Sequence, residues 1–176
     1  MTICDFLKVD KSRFEDAIKA YFLWKELNAL IKNSHNRGVN FPETISETLL
    51  CVAMNFELNR GRGGDARNPV TNEIIEAKAT SNWEQDMTSF SPNESFDLLY
   101  FLRLDQRNDE LFIYNTEMNS EDLKMIQVSQ TQTVGEQQLQ GRRPRFSVIN
   151  QIITPQNINP IAKINLRTKN ILKLII

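Results

Sequence analysis

The chain has 176 residues, 40% hydrophobic and 24% charged, with a formal net charge of −1. That is a single domain's length and an ordinary globular composition, which excludes extensive disorder. No run of 18 apolar residues supports a membrane span. Cys4 and Cys51 are too few for a disulfide framework, and with one histidine, His35, a histidine-rich zinc site is excluded. The opening MTICDFLKVDK lacks the basic region of a secretory signal, so the expected setting is cytoplasmic.

Ser12 to Glu15 has the spacing of a capping box. Phe14, Ala17, Ile18, Tyr21, Leu23, Trp24, Leu27, Leu30 and Ile31 then predict a long helix with a broad apolar face, stopped by Asn36-Arg37-Gly38. A second helix is expected from Pro42 to Asn59, because Ile45, Leu49, Val52, Ala53 and Phe56 recur on one stripe. Three of the six glycines fall in Arg60-Gly61-Arg62-Gly63-Gly64-Asp65, where backbone must bend or be approached closely. Asn68 to Asn72 reads as a turn and 73–79 as a short strand. Residues 96–104 are almost continuously apolar, the pattern of a central strand covered on both faces. Leu111 to Tyr114 is a further strand, and Ser120 starts a helix. The glutamine-rich stretch 131–141 is a loop or short helix, and 146–149 and the isoleucine-rich tail are strand candidates. The order implies an α/β (α+β) fold around a central mixed β-sheet flanked by helices. Three parts are expected, a helical 1–59, a sheet core 60–120 and a basic 121–176.

Charge is unevenly distributed. Residues 123–176 sum to +7 and residues 1–122 to −8. A basic third facing a polyanion is one reading; mutual attraction of the two parts is the other.

Asp65 and Glu76 can converge if the turn at 68–72 folds the chain back as a hairpin. Glu76 and Lys78 lie two apart on one strand and share a face. Two carboxylates and an amine in one place suit metal-assisted phosphodiester hydrolysis, since Mg²⁺ needs only one or two carboxylates plus water and phosphate oxygens. Adjacent acids favour the charged lysine, so Lys78 is expected to orient water and stabilise charge rather than act as a base. An ion pair on a solvated sheet is the plain alternative. Asp122-Leu123-Lys124 repeats the triplet but sits at a helix start, where acids complement the dipole.

The succession Gly64-Asp65-Ala66-Arg67, Ile75-Glu76-Ala77-Lys78, Asp86-Met87-Thr88-Ser89-Phe90 and the later Gly141-Arg142-Arg143-Pro144-Arg145-Phe146 resembles the PD-(D/E)xK nucleases. More narrowly it resembles small type II restriction endonucleases, including the family cutting GC-rich sites such as GCNGC. The resemblance covers residues 40–150, and Gly64 stands where the motif's name has proline. It implies a restriction-endonuclease-like core and Mg²⁺-dependent, sequence-specific cutting of double-stranded DNA leaving 5′-phosphates (class EC 3.1.21.4). Asp65, Glu76 and the Ala77 carbonyl would be metal ligands and Lys78 the catalytic lysine. Glu47 would be the additional helix glutamate of many members, although it lies nearly opposite the apolar stripe and could equally be exposed or cap Thr44. A homodimer, with the first helix or the tail (Ile171, Leu172, Leu174, Ile175, Ile176) as interface, and a cognate DNA methyltransferase are implied partners. Rival readings are a structure-specific repair or junction-resolving nuclease and a non-catalytic DNA-binding protein.

Arg142, Arg143 and Arg145 can clamp phosphate or take guanine in two places. Gln138, Gln140, Asn82 and Ser89 are further DNA-contact candidates. Trp83 and Phe90 read as loop anchors, His35 as a surface residue, and Cys4 and Cys51 as small buried groups or bystanders.

Overall fold

The computed structural model describes residues 5–93 and 95–174. Cys4, Ile175 and Ile176 lie outside the described residues. Strand β1 (Phe6–Lys8) leads into helix α1 (Lys11–Lys32). Its N-cap is Asp10, whose carboxylate accepts the Arg13 amide at 2.8 Å. The capping box expected at Ser12 is therefore displaced, because a carboxylate two residues earlier already holds the orphan donor. One face of α1 buries Ala17, Ile18, Tyr21 and Trp24, while Leu23, Leu27 and Leu30 stay 58%, 48% and 61% exposed. The broad apolar surface is thus two surfaces, only one of them core.

Helix α2 spans Glu43–Met54, not 42–59. Asn55 takes the left-handed conformation at φ 59 and ends it. Phe56 is nevertheless buried, and Glu57–Asn59 forms β2. The glycine-rich loop follows, then β3 (Ala66–Arg67) and β4 (Ile74–Thr80) pair as the expected hairpin around the 68–72 turn. After β5 (Thr88–Ser89) come β6 (Leu98–Asp105) and β7 (Glu110–Asn115). The short helices α3 (Ser120–Lys124) and α4 (Val134–Leu139) precede β8 (Arg145–Phe146). The strand expected over 146–149 stops at Phe146, and Ile149–Ile153 winds as a π-helical turn. A terminal hairpin, β9 (Ala162–Asn165) and β10 (Asn170–Lys173), completes the fold.

Eight strands form one mixed sheet in the order β1-β2-β3-β4-β6-β7-β9-β10, drawing on all three expected parts of the chain. Only β4 and β6 are parallel, Ile75 to Thr80 against Leu98 to Arg103; the other pairs are antiparallel. As its apolar run predicts, β6 is central, with Leu99, Phe101, Leu102 and Leu104 inaccessible to solvent. One core places α1 and α2 against the sheet; the other gathers Phe96, Leu99, Phe101, Tyr114, Leu123, Val134 and Ile152 beneath α3, α4 and the π-helical turn. Strands β5 and β8 make a separate two-stranded ribbon.

Asp109, in the β6–β7 turn, has a fully buried side chain that accepts hydrogen bonds from Tyr21 and Lys25 at 2.5 Å and pairs with Arg167 at 2.6 Å. Burial pushes its carboxyl up, but these bonds and the two cations outweigh it and hold it below the usual range. One carboxylate thus ties α1, the β6–β7 turn and the β9–β10 turn together. Among the described residues no helix is long and apolar enough to cross a membrane.

Candidate active site

The site begins where β3 leaves β4. Gly63 and Gly64 have φ of 87° and 70°, and a Cβ at Gly64 would lie 2.3 Å from the Ile74 Cγ2 and 3.2 Å from the Ile75 carbonyl oxygen. Only glycine passes here without collision. The loop is gripped by buried Asn59. Its side-chain nitrogen donates to the carbonyls of Arg62, Gly63 and Gly64 at 2.9–3.2 Å, and its oxygen accepts the Gly61 amide at 2.9 Å. Sequence reasoning missed Asn59, since an asparagine at a helix-like boundary reads as punctuation.

The Asp65 amide donates to the Ile75 carbonyl at 2.8 Å, and its carboxylate accepts the Ala77 amide at 2.7 Å. Main-chain polar groups of one strand residue leave on the same side. The Ala77 carbonyl therefore leaves β4 on the side where Asp65 stands. The Glu76 carboxylate is buried and meets the Lys78 amine at 2.5 Å. The Lys78 ammonium also lies 5.7 Å from the centre of the Phe90 ring. The predicted same-face pair is present, and it is enclosed, not a solvated surface bridge.

Glu47 belongs to the same charge cluster. It is half-buried on α2, which packs on β4. Burial pushes its carboxyl up to about 7, the charges of Asp65 and Glu43 add to this, and Lys78 opposes it. The helix face opposite the apolar stripe thus turns towards Asp65 and Lys78. Thr44 lies inside α2 behind an N-cap at Pro42, so Glu47 is not its capping partner. Buried Cys51 stands near the cluster, its thiol pushed up to about 12 by burial and by Glu47 and Asp65.

Among the described residues no group of three or more His, Cys, Asp or Glu side chains is arranged to cage a metal ion. The donors at hand are carboxylates and a backbone carbonyl. Such hard oxygens suit Mg²⁺, which keeps several waters and takes few protein ligands.

Ala77 and Lys78, but not Asp65, Glu76 or Glu47, line a cleft of about 510 Å³ together with Lys32 at the end of α1, Gly38 to Phe41, Glu43, Asp86 to Ser89 and Arg145. Asn82 lies outside it, in a neighbouring cleft of about 590 Å³ with Trp83 and Arg107. Arg142, Arg143 and Arg145 are exposed. Gln138 turns inward and donates to the Ser91 carbonyl at 3.0 Å; Gln140 is exposed and accepts from Gln132 at 3.4 Å. The rest of the basic third behaves differently. Lys163 pairs with Glu110, Arg167 with Asp109 and Lys169 with Glu15, at 2.9, 2.6 and 3.7 Å. Mutual attraction of the two parts thus accounts for these three residues, while Arg142, Arg143 and Arg145 stay exposed.

Phe90 is an anchor, buried and stacked on Phe146 at 5.1 Å, and Trp83 packs on Phe112 beneath Arg103. His35 is exposed beyond the end of α1, and Asp122 completes the α3 capping box, as befits a triplet outside the site.

A family model described as Bsp6I restriction endonuclease matches residues 9–155. Over 174 residues, 99% of this chain and 100% of the relative, the sequence is 74% identical to the type II restriction enzyme Bsp6I of Bacillus sp. (strain RFL6).

Proposed function

The chain belongs to the Bsp6I restriction endonuclease family, and from that premise we propose that it is a type II site-specific deoxyribonuclease (class EC 3.1.21.4) acting in the cytoplasm on double-stranded DNA. The observation that carries the assignment of the site is the convergence on β4 of Asp65 at the Ala77 amide and Glu76 at the Lys78 amine. Asp65, Glu76 and the Ala77 carbonyl would hold Mg²⁺, and Glu47 faces Asp65 and Lys78 from α2 as a further acid of the site. Bound there, the ion supplies positive charge to the phosphoryl oxygens and acidifies water.

The chain's own groups do the rest. Lys78, fixed by Glu76 and shielded by Phe90, directs N–H groups at the attacking water and at the charge growing on the phosphoryl oxygens. The water oxygen bonds to phosphorus and gives up a proton to solvent as the bond to O3′ breaks and O3′ takes a proton from solvent, leaving a 5′-phosphate and a 3′-hydroxyl. Arg142, Arg143 and Arg145 hold the duplex beside the cleft, with Ser89. One cleft cuts one strand, so a palindromic site calls for a homodimer. A cognate methyltransferase protects the host's own copies of the site.

Digestion of unmodified phage DNA with Mg²⁺ is the test. Discrete bands are expected, and Asp65→Ala and Lys78→Ala should lose cutting while retaining DNA binding. Cutting confined to branched junctions would favour a resolving nuclease. Cleavage at the normal rate by either variant would overturn the site.

A further inference from the structure

The ribbon of β5 and β8 has two unlike faces. Thr88 opposes Phe146 and Ser89 opposes Arg145, and the Phe90 amide extends the ladder to the Pro144 carbonyl at 3.1 Å. Alternation along a strand then sorts the side chains. Thr88, Phe90, Pro144 and Phe146 are buried, with the two phenylalanine rings stacked. Met87, Arg143 and Arg145 are exposed, and Ser89 is half-buried. Met87 is 71% exposed although its neighbours are fixed: the Asp86 carboxylate accepts from Ser147 Oγ at 2.6 Å and from the amides of Val148 and Ile149 at 2.8 and 3.1 Å. A large apolar side chain held in water next to β5, on the same face as Ser89 and Arg145 and on the lining of the Lys78 cleft, is out of place as packing.

We infer that this ribbon enters the DNA major groove and reads base edges through Met87, Ser89 and Arg145, a step that rests on the restriction-endonuclease reading above. Two paired strands are about 4.8 Å apart before side chains are added. The major groove, about 12 Å wide, admits such a ribbon and the minor groove, about 6 Å wide, does not. Arg145 matches guanine O6 and N7, and Met87 offers apolar contact to the C5 edge of a pyrimidine. Arg143, one alternation further out, meets phosphate.

The wild-type site is first mapped by sequencing cleaved ends. Affinity is then measured with Ca²⁺ replacing Mg²⁺, on the cognate duplex and on duplexes carrying 7-deazaguanine or inosine in place of each guanine. Loss of one N7 should weaken wild type about tenfold. Arg145→Lys, which keeps charge but loses the two-pronged geometry, should weaken the unmodified duplex similarly and become insensitive to that 7-deazaguanine. Met87→Ala should narrow the gap between cognate and one-mismatch sites. Indifference of wild type to 7-deazaguanine with sensitivity to inosine, which lacks only the minor-groove amino group, would overturn the proposal, as would a mapped site without guanine. The modified duplexes test wild type even if a variant is unstable. Discrete cutting with unchanged discrimination by Arg145→Lys and Met87→Ala rejects the ribbon alone; absence of discrete cutting by wild type rejects the restriction reading and the ribbon with it.

Discussion

Asp65 grips β4 at two points: its carboxylate accepts the Ala77 amide at 2.7 Å while its own amide donates to the Ile75 carbonyl at 2.8 Å, two residues earlier. The acid's position is therefore set by the hairpin and by the glycine before it. Gly64→Ala should strain the backbone by roughly 1–2 kcal/mol and force Ile74 aside, lowering the melting temperature by about 2–8 °C. Cutting should fall about a hundredfold, the scale of a small misplacement of a reacting group. Gly63→Ala bears the same backbone strain at φ 87° but its added Cβ meets nothing within 4 Å, so it should lose stability yet keep most activity. Equal loss of cutting in the two variants would contradict this.

Glu47 gives the metal-free protein a pH signature. Its folded carboxyl titrates near 7, above the ordinary value of 4.5. Stability from the neutral acid is fully present below pH 4.5 and is lost as pH rises through 7, by up to about 3 kcal/mol before allowance for partial exposure. Without metal, wild type should lose melting temperature between pH 5 and 8 relative to Glu47→Gln, which stays neutral. Parallel melting curves across that range would remove Glu47 from the cluster.

Asp109→Asn should be among the most damaging single changes. It removes a buried acceptor's charge-assisted bonds to Tyr21, Lys25 and Arg167, a loss of about 1.5–3 kcal/mol, since Lys25 and Arg167 themselves keep contact with water. Because the native carboxyl is held below its ordinary range, its contribution is present above the unfolded value near 3.9 and disappears as pH falls through the folded one. The variant's stability deficit, measured by urea unfolding, should shrink towards low pH. A constant deficit would point to packing instead of charge.

Asp86→Ala should act on the ribbon at a distance from the DNA. It removes the acceptor for Ser147, Val148 and Ile149 and costs about 1–2 kcal/mol, as a lost helix cap does. As a positioning residue, Asp86 should be non-additive with Arg145→Lys in the ratio of cognate to mismatched affinity. Strict additivity of the two changes would separate them.

Leu23, Leu27 and Leu30 recur at four- and three-residue spacing along the outer face of α1, one of the two surfaces expected to serve the proposed homodimer. Leu27→Glu should halve the mass seen by light scattering and turn double-strand cutting into slow nicking. A monomeric wild type would refute that assignment.

Much of this was legible from residue pattern. The central strand, expected over 96–104 from its apolar run and found at Leu98–Asp105, the hairpin around residues 68–72 and the Glu76–Lys78 pair all follow from residue pattern and turn chemistry. What escaped has physical causes. Three-residue strands such as β1 and β2 carry too little period to register. Asn55 ends α2 by adopting left-handed backbone, while Phe56 still reaches the core and continues the stripe by accident of direction. Asp109 reads as an ordinary turn acid, since nothing local reveals that Tyr21, Lys25 and Arg167 will surround it. The orientation of Glu47 depended on which side of α2 met β4, a tertiary fact. Exposure of Leu23, Leu27 and Leu30 was equally invisible, because apolar residues destined for one core and for another surface look alike.

Asn59 spends both donors of one small amide, and part of its acceptor, on the backbone of the glycine-rich loop. The segment leading to Asp65 is thereby ordered during folding, so arriving DNA meets a carboxylate already in place and none of its binding energy is diverted to stiffening glycines. A truncation as slight as Asn59→Ala would shift that entropic burden from the birth of the protein to every turnover.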